Sequence, residues 1–237
     1  MVPYATLNGY TAQLAVSEHD RMEASRLRYA VYVAEQGKPY LDADHQRRTL
    51  SDNLDSSATI ILVTGETGPC GTVRANFLDS GGVRAAFEHH VAFTLFAAIP
   101  ESSIAVCSRL AVLPEHRGKV VSGLLFLEIY RYGLGRNTQL CFEACAPSLV
   151  PIFRRHGFRE YLSPIMDLIV GQLHRMVLVL DDLAHLSKVR SPFLAVAEEK
   201  RLAHQTRPWL DRQFEQFAAQ SADVFASKLR CESSRQR

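Results

Sequence analysis

Two arginines and one glutamate stand where charge is costly. Arg74 and Arg109 fall inside otherwise apolar, strand-like runs, Gly71–Leu78 and Ile104–Leu113, and Glu143 falls inside a third, Gln139–Ala144. A buried arginine without a partner is strongly destabilising, so each of the two requires a carboxylate. Asp52, Asp55 and Glu143 are the natural partners. Such a network either grips a substrate carboxylate by bidentate pairing or pins the segment carrying Asp52 and Asp55 onto a sheet. Glu143 has a second reading of its own. A carboxyl among Leu140, Cys141, Phe142 and Ala144 is expected to bind its proton more tightly than usual, which suits a general base. Glu35, at the end of a helix-like run, is the other candidate base, or an ordinary surface carboxylate.

An anion site is suggested by the stretch Ser108–Lys119. An apolar strand leads through a turn at Pro114 to Arg117-Gly118 and then to an amphipathic run with Val121, Leu125 and Ile129 one turn apart. Unpaired N–H groups and the helix dipole favour negative charge at such a junction. Metal chemistry is not expected. His89 and His90 are adjacent and point to different sides of a helix, and the five cysteines lack paired ligand spacing. They read as free thiols of a reducing compartment, with Cys145 a packing residue, so a cytoplasmic location is expected.

The elements that must carry these residues follow from periodicity. Strands are expected at Thr11–Val16, Ala58–Thr64, Gly71–Leu78, Ile104–Leu113, Gln139–Ala144 and Arg175–Leu180. Helices are expected over Glu18–Glu35 with Ser17 as cap, over Val83–Ala98, from Gly118 to Tyr132, and from Pro147 to His156-Gly157. The order implies an α/β (α+β) domain with a mixed central sheet flanked by helices, over residues 1–193. The polar segment Gly37–Ser57 reads as a long functional loop. Residues 194–237 read as an amphipathic helix, with Leu210, Phe214 and Phe217 on one face, and a polar tail. That helix is a candidate homodimer contact. The stripe Phe87, Phe93, Leu95, Phe96 reads as core before it reads as an acyl tunnel.

Bulk properties narrow the class. Lys and Arg total 27 against 25 Asp and Glu, a balance that argues against nucleic-acid binding. The N-terminus shows no signal-peptide pattern, and no apolar run is long enough for a membrane span.

Arg117-Gly118-Lys119-Val120-Val121-Ser122 resembles the acyl-donor motif of the GNAT superfamily, keeping the leading Arg but lacking both later glycines. Those glycines close the backbone around the coenzyme A pyrophosphate. Their absence points to a donor carried as phosphopantetheine on acyl carrier protein rather than as coenzyme A, with no tightly bound cofactor. Arg117, Lys119, Arg131 and Arg136 are then candidate contacts for the acidic carrier. The run Arg28–Gly37, Asp52-Asn53-Leu54-Asp55, Gly71-Thr72-Val73-Arg74 and Ser108–Val112 resembles acyl-homoserine-lactone synthases. Ala146–Leu149, Phe153–Arg159 and His185…Phe193 resemble instead the FeeM-type N-acyl amino acid synthases.

The lactone synthases carry Glu where this chain has Val106, which moves the acceptor from S-adenosylmethionine toward a plain amino acid. The resemblance implies a GNAT-like N-acyltransferase that moves a long acyl chain from acyl carrier protein to an amino acid's amine. It implies Glu143, Glu35 and Arg109 as catalytic candidates, and Arg28, Asp52, Asp55 and Arg74 as acceptor-site candidates. Leu110, Ala111, Val112, Arg117, Gly118 and Lys119 are the donor-site candidates. An autoinducer synthase and a non-catalytic acyl-binding module are the alternatives.

Overall fold

The computed structural model describes residues 5–199. The chain begins with a short hairpin, β1 (Ala5–Leu7) and β2 (Tyr10–Leu14), followed by α1 (Glu18–Arg28). Ser17 caps α1: its side chain accepts from the Asp20 N–H, and the Asp20 carboxylate accepts in return from the Ser17 N–H. The helix then widens into a π-helical turn over Tyr29–Glu35, so the single expected helix has two parts of different pitch. The segment expected to be irregular contains a two-residue ladder, β3 (Ala43–Asp44) with β4 (Thr49–Leu50), and a 3-10 turn at Asn53–Ser57.

The main sheet is completed by β5 (Thr59–Gly65), β6 (Gly68–Phe77), β7 (Ile104–Val112), β8 (Leu140–Cys145), β9 (Arg159–Asp167) and β10 (Gly171–Val179). The strand order is β1-β2-β5-β6-β7-β8-β10-β9, antiparallel throughout except for the parallel pair β7/β8. Helices α2 (Val83–Val91), α3 (Val121–Gly135), α4 (Val150–His156) and α5 (Leu183–Lys188) join or follow these strands. Apolar side chains from α3 fill one side of the sheet with Val73, Phe153 and Leu178, while Phe93 and Phe96 pack on Phe142 of the other. A sixth helix, α6 (Leu194–Glu199), buries Val196 and Ala197 on the same core. The expected amphipathic helix around Leu210–Phe217, and the dimer contact assigned to it, lie outside the described residues. Among the described residues no helix is long and apolar enough to cross a membrane.

Three boundaries differ from the sequence expectation for identifiable reasons. The run Val83–Ala98 breaks at Ala92, whose φ of 55° is left-handed, so only Phe93–Phe96 follow as a 3-10 turn. Helix α3 starts at Val121, three residues after Gly118, so Arg117-Gly118 belongs to the approach and not to the first turn. Strand β9 escaped periodicity because Pro164 and three charged residues, Arg159, Glu160 and Asp167, interrupt its pattern. As an edge strand it can bulge around a proline that has no N–H to donate, and its ladder with β10 is irregular there.

Gly157 closes α4 with φ +104°, and a Cβ there would stand 2.6 Å from Leu186 Cδ2. Backbone strain and overpacking act together. Gly157→Ala is therefore expected to cost about 1–3 kcal/mol. A urea midpoint equal to wild type would refute this.

Candidate active site

The site originates in a defect of the ladder. Ser108 pairs with Arg74 and Ala111 with Thr72, so Arg109 and Leu110 together face Val73. Arg109 takes φ +56°, the left-handed position of a β-bulge. The bulge bends β7, and its parallel pairing with β8 ends at Val106↔Phe142. Beyond that point the two strands splay apart. A cavity of about 810 Å³ opens between them, lined by both strands, the π-helical turn, α2 and α4. Tyr32, carried by the π-helical turn, donates its hydroxyl to the carbonyl of Leu110 at 2.5 Å.

Glu143 is the first residue of β8 past the last paired position, and it faces the cavity. Its carboxyl forms no hydrogen bond or ion pair among the described residues. Burial, and secondarily the neighbouring Cys107, push its carboxyl well above the usual carboxylate range. Neither expected pairing, with Arg74 or with Arg109, occurs. The thiols beside it are poor nucleophiles. Cys107 lies 3.2 Å from Cys141 Sγ, and that contact together with burial raises it well above a normal thiol. Burial and Glu143 raise Cys145 to about 12.

The arginines and aspartates do assemble. Arg28 reaches Asp55 at 2.7 Å. Arg74 reaches Asp52 at 2.5 Å and Asp55 at 3.2 Å, and Arg109 reaches Asp52 at 2.8 Å. Asp52 and Asp55 are held by a local capping box around the 3-10 turn, which orients both carboxylates toward the arginines. Burial opposes ionising Asp52, but the charge of Arg74 and the hydrogen bond from Arg109 outweigh it and lower its pKa to about 2. Three guanidinium groups thus share two carboxylates, which leaves one positive charge in excess.

Arg28 and Arg74 are only 1% and 2% exposed, whereas Arg109 is 15% exposed. Its guanidinium stacks on Tyr40 at 4.8 Å. Arg74, Asp52 and Arg109 line the cavity, while Arg28 and Asp55 sit behind its wall.

The sequence profile of the N-acyl amino acid synthase FeeM family matches residues 23–172, well over half of the chain. The chain belongs to the FeeM family of N-acyl amino acid synthases. It is accordingly an N-acyltransferase, and the expected family is shown. No curated protein sequence matches it significantly.

Among solved structures, FeeM from uncultured soil microbes shares 15% identity at a TM-score of 0.61, covering 76% of this chain and 96% of that one. The CoA-dependent acyl-homoserine lactone synthase BjaI, bound to SAM and isopentyl-CoA, shares 16% identity at 0.57, covering 79% and 97%. A Lactobacillus plantarum protein assigned as an N-acetyltransferase shares 15% at 0.53, covering 73% and 99%. The fold is therefore the GNAT-like one expected, with a mixed sheet flanked by helices.

Within this FeeM-family fold, Leu110, Val112, Arg117 and Gly118 border the cavity, whereas Ala111 and Lys119 do not. Glu35 is outside it as well, clasped by both terminal nitrogens of Arg117 at 2.6 Å. That contact lowers its pKa, the opposite of what a base near neutrality needs. Arg131 pairs with the buried Glu128, and Arg136 with Asp79 at the surface. Phe93 and Phe96 are core residues and Leu95 is exposed, so only Phe87 of that stripe reaches the cavity. Lys38 and Tyr40 also line it, and sequence reasoning passed over them. The one available signal was Gly37-Lys38 at the end of the entry helix.

Proposed function

We propose that the enzyme joins an acyl group, delivered as the phosphopantetheine thioester of acyl carrier protein, to the amine of an amino acid. The observation that carries this reading is an unpaired carboxyl, Glu143, made more basic by burial, in the same cavity as an arginine cluster with excess positive charge. The cluster calls for an anionic acceptor, and Glu143 calls for a protonated amine. An amino acid supplies both. Val106, buried in the apolar wall, gives a sulfonium acceptor no carboxylate there, which favours the amino acid over S-adenosylmethionine.

In the proposed reaction the donor lies along Leu110, Ala111 and Val112, the edge that the splay releases from pairing. The phosphate end lies by Gly118 at the approach to α3, where Arg117 reaches it on exchanging Glu35 for the phosphate. Glu143 accepts a proton from the acceptor nitrogen, which attacks the thioester carbonyl. The C–N bond forms, the C–S bond breaks, and the thiol leaves with a proton. The raised thiols favour direct transfer over an acyl-cysteine intermediate.

Incubation with acylated carrier protein, or separately with acyl-CoA, and a mixture of the twenty protein amino acids tests this reading by mass spectrometry. Acyl amides are expected with the carrier-protein donor. Amides formed from acyl-CoA alone would overturn the donor assignment, and no amide from either would overturn the synthase reading. An acylated homoserine lactone formed in the presence of S-adenosylmethionine would make the enzyme an autoinducer synthase.

A further inference from the structure

The cavity holds a second cation that the arginine cluster does not use. Lys38 follows Gly37, which ends the π-helical turn at φ +64°. The Gly37 N–H donates to Val33 O, and the Lys38 N–H donates to Tyr32 O at 3.0 Å. This left-handed cap reverses the chain, so Lys38 turns back over the turn it has just left. Its ammonium stands 5.1 Å above the Tyr32 ring. The Tyr32 and Tyr40 rings meet edge-on at 5.9 Å, and Arg109 covers Tyr40. Two cations therefore flank one aromatic pair on the wall of the cavity.

Lys38 has no ion pair among the described residues. The acid that acts on it electrostatically, Asp167, is engaged elsewhere: its Oδ1 accepts the N–H groups of Ile169 and Val170, and its Oδ2 faces His90. Burial holds Lys38 below its ordinary value, with Asp167 opposing and Arg109 adding to the shift. A partly buried ammonium facing a like charge lacks an anion. Glu143 acts electrostatically on the same Tyr32, so a negative group between Lys38 and Arg109 would lie close to the base. A carboxylate carried on the same small molecule as the amine would supply that negative group.

We infer that Lys38, with Arg109, holds the acceptor's carboxylate and makes the enzyme selective for amino acids over amines that lack one. The inference rests on the acceptor reading above and adds the residue that reads the acid group. It predicts discrimination of about tenfold to a hundredfold from this one contact, as for a charge-assisted hydrogen bond.

A one-pot competition tests it. Wild type and Lys38→Gln receive acylated carrier protein with equal amounts of the twenty amino acids and of their carboxamides, and the ratio of N-acyl amino acids to N-acyl amino amides is read by mass spectrometry. Both products form in one vessel, so the ratio does not depend on how much variant is folded. The expected result is a wild-type preference for the acids that falls about tenfold or more in Lys38→Gln and is partly restored in Lys38→Arg. An unchanged ratio would overturn the role of Lys38 and leave the synthase reading standing. An unchanged ratio with a weakened affinity for the donor would instead assign Lys38 to the donor's phosphate. Acylation of neither mixture by wild type would overturn the synthase reading, and this inference with it.

Discussion

Glu143→Gln is expected to lower the rate of amide formation by about 10²- to 10⁴-fold, the range that a positioned general base contributes. The substitution preserves shape and removes only the proton acceptor. Binding of the donor should therefore change little, and single-turnover kinetics should place the loss in the chemical step. The pH profile provides an independent check. Burial raises the Glu143 pKa, so the carboxyl is protonated and inactive at low pH and becomes a base as pH rises through that value. Wild-type kcat/KM should rise over that limb, and the limb should vanish in Glu143→Gln. A variant with wild-type rate would remove Glu143 from the base role. Glu35 offers no ready substitute, because Arg117 holds it ionised and outside the cavity.

The largest expected effect on stability comes from Asp55→Ala. Asp55 is the carboxylate that neutralises Arg28, which is 1% exposed, and it also bonds Arg74. Removing one partner of a buried pair leaves an uncompensated charge and costs about 3–5 kcal/mol. A domain of this size loses about 2–4 °C in Tm per kcal/mol, so a fall of about 10 °C is expected. Removing Glu101 from its exposed pair with Arg84, 2.6 Å long, should move Tm by no more than a few degrees. Equal Tm values for the two variants would show that the cluster is not the buried charge network described.

The pH dependence has a definite sign. Asp52, at about 2, and Asp55 are depressed in the folded state relative to an unfolded value near 4. Their contribution is complete above the unfolded value and is lost as pH falls through the folded one. Wild type should lose stability between about pH 4 and pH 2, and Asp55→Ala should lose less over that interval.

Much of this architecture was legible in the order of residues. Periodicity located six of the strands, Ser17 announced its own capping box, and two arginines in apolar strands required the acids that Asp52 and Asp55 supply. These are local or pairwise demands: a pleat, a helix start and a buried charge each constrain their immediate partners. The short motifs from Arg28 to Phe193 likewise carried the family, because their order survives where overall identity does not. The edge strand β9 stayed hidden because its proline and charges obscure the alternation that a half-buried strand would show.

The site itself needed the tertiary structure. Nothing in Ser108-Arg109-Leu110 announces that Arg109 is left-handed, since the bulge exists only as a mismatch with the distant strand β6. That mismatch decides where β7 leaves β8, and hence that Glu143, one residue past the last pair, opens onto a cavity with no partner. The same geometry separates the acid that faces the cavity from those that brace the fold: Asp52 reaches the cavity, Asp55 lies behind it, and Glu35 is spent on Arg117. Lys38 gained meaning only when the cap at Gly37 turned it toward Tyr32 and no carboxylate came to meet it. Sequence by itself determined which elements form and which charges must be neutralised. The tertiary structure decided which charges remain unneutralised, because register and desolvation depend on contacts between residues far apart in the chain.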